Sequence, residues 1–156
     1  MRRFALPVFA VCAALLTGAQ ALAQQPSATP PLPPPFSYGT PITLEQARKV
    51  ASAAEVAAKK KNMIMAIAIV EPSGDLVYFQ RMDGVQYGSI KNAQSKAMSA
   101  ALYGRSTKTF RERVAKGDLS PMALVGAVAS DGGVPIVVNG KTIGAIGTSG
   151  GADDEV

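Results

Sequence analysis

Between Lys91 and Lys116 the chain carries seven basic side chains: Lys91, Lys96, Arg105, Lys108, Arg111, Arg113 and Lys116. Glu112 is the single acid among them. Such a cluster can receive carboxylates or phosphates through charge-assisted hydrogen bonds; it equally suits a solvated helix face. Just before it, Arg81-Met82-Asp83-Gly84 sets a cation and an acid beside a glycine turn. There polar groups either face a ligand or pair with each other to fix the exit from a strand. Near the end, Gly147-Thr148-Ser149-Gly150-Gly151 offers backbone N–H groups to an anion. That stretch matches neither the P-loop nor the dinucleotide fingerprint. Asp153, Asp154 and Glu155 follow at once and would repel an anion, so its glycines read first as structural.

The absences carry as much chemistry. The chain has no histidine and no tryptophan, and its one cysteine is Cys12. Cys12 lies in Phe4–Leu16, an apolar run behind Arg2 and Arg3 that leads to Ala21-Leu22-Ala23. This is the pattern of a secretory signal peptide, residues 1–23, cleaved after Ala23; the run is short for a bilayer span of about 20 residues. The expectation is an exported protein, periplasmic or extracellular, with no stable membrane span after cleavage. The mature chain then has no cysteine. The lack of cysteine and histidine together excludes Cys/His zinc sites, Cys nucleophiles, thiolate-held iron–sulfur clusters and Ser-His-Asp triads. It also excludes the usual histidine ligation of haem. No self-contained catalytic constellation remains. The methionines and tyrosines read mainly as core or rim; a haem iron would have to turn to Tyr, Met, Lys or a hydroxyl, or have no strong protein ligand. The modest positive balance favours small acidic molecules or acidic surfaces and does not by itself argue for nucleic acid.

Residues 24–41 are rich in Pro, Ser and Thr and read as an extended tether. A single domain follows from Ile42 to Val156. Thr43 and Gln46 form a capping-box pair before a helix whose inner stripe is Leu44, Ala47, Val50, Ala51, Ala54 and Ala58. Asn62 can end that helix in the left-handed conformation. Met63–Glu71 is a continuous apolar run expected to be buried on both faces. Pro72–Asp75 is a turn and Leu76–Met82 a second strand, too close for a crossover helix, so the pair is an antiparallel hairpin. Ser89 is expected to cap a helix over Ile90–Tyr103, with Ile90, Ala93, Ala97, Ala100 and Ala101 inside and Gly104 as its stop. A shorter helix ends near Gly117. Residues 119–133 read as loop with a short strand around Ala123–Val128. Val134–Val138 and Lys141–Ile146 flank Asn139-Gly140, the strongest short hairpin signal, and Gly144 and Gly147 imply close approach of another backbone or a ligand. From Ala152 the chain reads as the first turn of a further helix, so a terminal helix is expected that the sequence does not contain. The order α-β-β-α-α-β-β-(α) predicts an α+β domain: a central antiparallel sheet of four to five strands flanked by helices.

Several segments together resemble the GlcG/HbpS-type haem-binding (haem-degrading) domain family. They are ITLEQARKV, AIVEPSGDLVYFQRMDG, GSIKNAQSKAMSAALYGRSTKTFRERV and GGVPIVVNGKTIGAIGTSGG. The resemblance implies a profilin-like or sensor-like sandwich, assembly into homo-oligomers, and a small anionic ligand, haem or a related planar molecule. It implies an exported binding protein in haem handling or redox sensing. A haem-degrading enzyme and a haem-free oligomeric sensory or structural module are the alternatives. Joined to the basic cluster, it makes Arg81, Asp83, Lys96, Arg105 and Lys108 the polar contacts, with Thr107 beside them and Tyr103 and Phe110 as apolar wall. Tyr87, Met98 and Thr107 are the remaining axial donors. Two departures stand out: Asp75 occupies the place where many members have a histidine, and members usually continue through a C-terminal helix.

Overall fold

The computed structural model describes residues 36–151. The signal-peptide segment, most of the Pro-rich segment and the start of the expected terminal helix lie outside the described residues. Seven regular elements and a 3-10 turn follow in order: α1 (Leu44–Lys60), β1 (Ala66–Val70), β2 (Leu76–Arg81), α2 (Tyr87–Tyr103), α3 (Thr107–Ala115), the 3-10 turn Ser120–Ala123, β3 (Gly133–Val138) and β4 (Lys141–Ser149). The four strands form one sheet in the order β2-β1-β4-β3, every neighbouring pair antiparallel. This is the α+β architecture expected from the order of the elements.

Each element starts and stops for a local reason. Thr43 accepts the Gln46 N–H, and the Gln46 side chain accepts the Thr43 N–H at 2.9 Å, so two of α1's unpaired amide groups are satisfied reciprocally. Asn139 and Gly140 both adopt positive φ, 51° and 75°, the type I′ geometry whose twist matches the flanking strands. α2 starts earlier than Ser89: its N-cap is Gln86, in an extended conformation and without a side-chain cap. The Ser89 N–H instead donates to the Gln86 carbonyl, which winds Tyr87 and Gly88 into the helix. No strand forms over Ala123–Val128. Pro121 sets a 3-10 turn, and Gly126, at φ 72°, bends the chain out of any extended run.

The sheet separates two cores. β1 is buried along its whole length and alternates between them. Ile67 and Ile69 join Met63, Met65, Ile42 and the alanines of α1 on one face. Ala66, Ala68 and Val70 join Ala145 and the alanines of α2 on the other. In register beneath α2 lie Ala68, Gly147 and Gly133, one from each of three adjacent strands. A Cβ on Gly147 would strike the Ala93 carbonyl and the Ala97 amide of α2. That is the close backbone approach implied by the glycines of β4. On the α1 side, Leu44 lies outside its expected inner stripe and is exposed; Glu55 instead ties α1 to the sheet by accepting from Gln80 at 2.6 Å.

The chain meets this domain before Ile42. The Gly39 N–H donates to the Thr142 carbonyl, the Thr142 N–H to the Ser37 carbonyl, and the Ile42 N–H to the Ile143 carbonyl. Residues 36–41, the end of the segment expected as a tether, are therefore laid along β4.

Candidate functional site

The junction of α2 and α3 gathers three of the sequence-predicted residues. Gly104 takes the left-handed conformation that ends α2, and the Ser106 side chain accepts the Lys108 N–H at the start of α3. The reversal sets Tyr103 edge-on to Phe110, with ring centroids 5.3 Å apart and planes at 86°, the favoured arrangement of two ring quadrupoles. Arg105 lies across the same surface. Its guanidinium carbon stands 5.0 Å from the centroid of Phe36 and 5.9 Å from that of Phe110, both within cation–π range. Its Nε donates to the Tyr103 carbonyl at 3.2 Å.

Phe110, expected as apolar wall, is 1% exposed and so belongs to the core rather than to an open ligand surface; the surroundings of the cluster are apolar and open. Leu102, Met122, Leu124 and Val125 are exposed, as are Phe36 and Tyr38. Tyr38 donates its hydroxyl to the Leu102 carbonyl, and Tyr103 donates its own to the Val125 carbonyl at 2.6 Å. Phe36 was not among the predicted residues. It follows a proline run that reads as spacer, and the aromatic pair Phe36 and Tyr38 is the one signal that could have marked it.

The other cations of the basic run divide by partner. Arg111 donates to Asp131 at 2.6 Å, and Arg113 holds both Asp118, at 2.8 Å, and Ser120. The hydroxyl and N–H of Ser120, together with Arg113, hold the Asp118 carboxyl down at about 2, well below the usual carboxylate range. These two pairs fasten α3 to the following loop. Lys108 is exposed in the first turn of α3.

The remaining predicted residues lie elsewhere. Thr107 is fully buried, and its Oγ1 accepts the Gly133 N–H at 3.0 Å. Lys96 is 3% exposed, its stem passing Gly132 between α2 and the sheet. Arg81, Asp83 and Tyr87 are exposed at the opposite end of α2 from the ring cluster, about 25 Å away along a 17-residue helix. Met98 sits in a third place. It packs on Gly74 of the first hairpin turn and lines, with Asp75, Lys91 and Gln94, a cleft of about 280 Å³. The candidates thus form one cluster, Tyr103, Arg105 and Phe110 with Lys108 beside it, and several separate positions.

A match to known proteins can now be set against this geometry. Residues 42–155 match the family model described as "Haem degrading protein HbpS-like". The chain belongs to the HbpS-like family. It is 35% identical over 108 residues to the protein GlcG of Escherichia coli K12, spanning 69% of this chain and 81% of GlcG. Among solved structures it resembles the Klebsiella pneumoniae protein ORFY, with a TM-score of 0.70 and 29% identity over 80% of this chain and 89% of ORFY. It also resembles HbpS, with a TM-score of 0.67 and 28% identity over 76% of this chain and 84% of HbpS. Membership agrees with the sheet order and the two-sided helix packing of this HbpS-like domain. Among the described residues no group of three His, Cys, Asp or Glu side chains is placed to hold a metal ion. No described helix is long and apolar enough to cross a membrane.

Proposed function

We propose that this chain is an exported binding protein for haem or a closely related anionic planar molecule, held at the α2–α3 junction. The observation that carries the reading is Arg105: a guanidinium laid over two phenyl rings inside an exposed apolar rim. A flat macrocycle needs apolar surface, and its propionates need a cation at the edge of that surface; Arg105 and the exposed Lys108 supply it. Family membership and the signal-like N-terminus support the same reading.

The residues fit the ring and its propionates better than they fit the iron. The Tyr103 hydroxyl is already donated to Val125, and Thr107 is buried and bonded to Gly133. Tyr87 and Met98 belong to other parts of the surface. Bound haem would supply redox chemistry of its own, while Arg105, Lys108 and the Phe36 and Tyr103 rings would bind and orient it. The family description also supports a haem-degrading activity, in which bound haem is lost in air with a reductant and persists without oxygen. The exposed rim of Leu102 and Val125 equally suits a second copy of the chain.

Titration of the mature protein with haem should give a saturable Soret shift at micromolar protein. Arg105→Ala should weaken it about 10- to 100-fold, the worth of one lost charge-assisted bond. Absence of any saturable shift in the wild type would sink the reading.

A further inference from the structure

The other end of α2 holds a second feature, built from different chemistry. β4 passes beneath α2 with Gly147 under Ala93 and Ala97. Two residues further on, Ser149 lies on the same face of the sheet, since it pairs with Ala66 of the α2-side core. The chain then turns through Gly150 and Gly151 beside the start of the helix. Gln86, Ser89, Asn92, Ser149, Gly150 and Gly151 line a half-open cavity of about 250 Å³.

The two serines mark this cavity as more than a helix end. Ser89 and Ser149 are each only 6% exposed. Among the described residues neither hydroxyl has a hydrogen-bond partner, yet no side-chain polar atom there is both fully occluded and unpaired. Both hydroxyls therefore open onto the cavity. Two nearly buried hydroxyls that share one cavity can both donate to a single acceptor placed between them. The start of α2 lies beside it. Its N-cap residue Gln86 provides no side-chain cap and its first turn holds no acid; the Ser89 N–H is already donated to the Gln86 carbonyl, so the helix end adds its positive dipole rather than a free amide of the lining.

We propose that this cavity binds a carboxylate, between the Ser89 and Ser149 hydroxyls at the start of α2. The lining contains hydroxyls, amides and glycine backbone but no Lys or Arg. Neutral donors of this kind suit a singly charged carboxylate rather than a phosphate, which is typically met by Arg or Lys. The volume lies below the roughly 300–1,000 Å³ of sites for drug-sized ligands, so the occupant is a small organic acid or a single acidic side chain. The second source is close in sequence, because Asp153 and Asp154 follow Gly151 almost directly. The site is independent of the haem reading at the far end of the helix.

Amide-resolved NMR of the full mature chain tests it. The probes are sodium acetate and sodium malonate, with inorganic phosphate and chloride at matched ionic strength. Saturable shifts at Tyr87, Gly88, Ser89, Gly150 and Gly151 with the carboxylates are expected if the source is a free acid. Ser89→Ala and Ser149→Ala should each weaken them roughly fivefold, the worth of one hydrogen bond, with an unchanged melting point confirming the fold. If the chain's own acids fill the site, the wild type resists titration. Asp153→Asn with Asp154→Asn then moves those amides and lets acetate bind. Either pattern supports a carboxylate site. No saturable shift in both proteins, or equal shifts with chloride and phosphate, would overturn it.

Discussion

The two faces of the sheet meet their helices through different atoms. Toward α1 the sheet presents Ile67, Ile69, Ile146 and Met65, side chains with rotamers that can readjust. Toward α2 it presents Ala66, Ala68, Ala145, Gly133 and Gly147, and α2 answers with Ala93, Ala97, Ala100 and Ala101. On the first face side chains separate helix from sheet. On the second the backbones themselves nearly touch. Close-packed interiors resist changes of even one methylene, but the two faces should resist in opposite directions. The α1 face is sensitive to removal and the α2 face to addition. The difference bears on function, because both ends of the firmly seated α2 carry the candidate sites.

The most direct way to break the comparison is to add bulk at the centre of the α2 face. Gly147→Val places a branched side chain against the Ala93 carbonyl and the Ala97 amide. No rotamer relieves a clash with backbone, so the loss should exceed the roughly 1–3 kcal/mol of ordinary overpacking. The expected outcome is no cooperatively folded protein in thermal or urea unfolding. A variant that melts like the wild type would show that α2 can lift from the sheet, and the distinction between the faces would fall.

The converse experiment removes bulk from the α1 face. Ile67 is fully buried, and Ile67→Ala leaves a cavity that its mobile neighbours Met63 and Met65 fill only in part. A loss of about 2–5 kcal/mol is expected by urea denaturation, with the two-state transition and the proposed haem binding retained. Loss of haem binding at temperatures where Ile67→Ala is still folded would mean that the faces are coupled rather than separate.

The same contrast explains what could be read in the sequence. Thr43 with Gln46, Asn139 with Gly140, and Gly104 each act within a few residues, so their spacing announced the capping box, the hairpin turn and the helix stop before any tertiary contact was known. Gly144 and Gly147 were legible as a pair of gaps that a backbone must fill. The start of α2 was not, because Ser89 is a good capping residue by type while Gln86 holds the capping position by its extended backbone. The site was legible where chain reversal alone assembles it, at Tyr103, Arg105 and Phe110. Arg81, Asp83 and Tyr87 are near those residues in sequence but are carried a helix length away. Phe36 reaches the cluster from beyond α1, a contact that only the packing against Gly104 creates.

The smallest expected effect sharpens the comparison by separating the helices. Thr43→Ala removes the side chain that accepts the Gln46 N–H and leaves the first turn of α1 with an unpaired donor. Capping losses of this kind cost about 1 kcal/mol. The cost should be local, since α1 meets the sheet through adaptable side chains while α2 is held by backbone contact and does not depend on that cap. Hydrogen exchange then reads the result residue by residue. Amides in the first turns of α1 should exchange roughly fivefold faster, as about 1 kcal/mol implies, while those at Ala97, Ala100 and Ala101 keep their protection. Equal acceleration in both helices would mean that the sheet transmits the loss from one face to the other, and α2 would then be no firmer a platform for its two ends than α1.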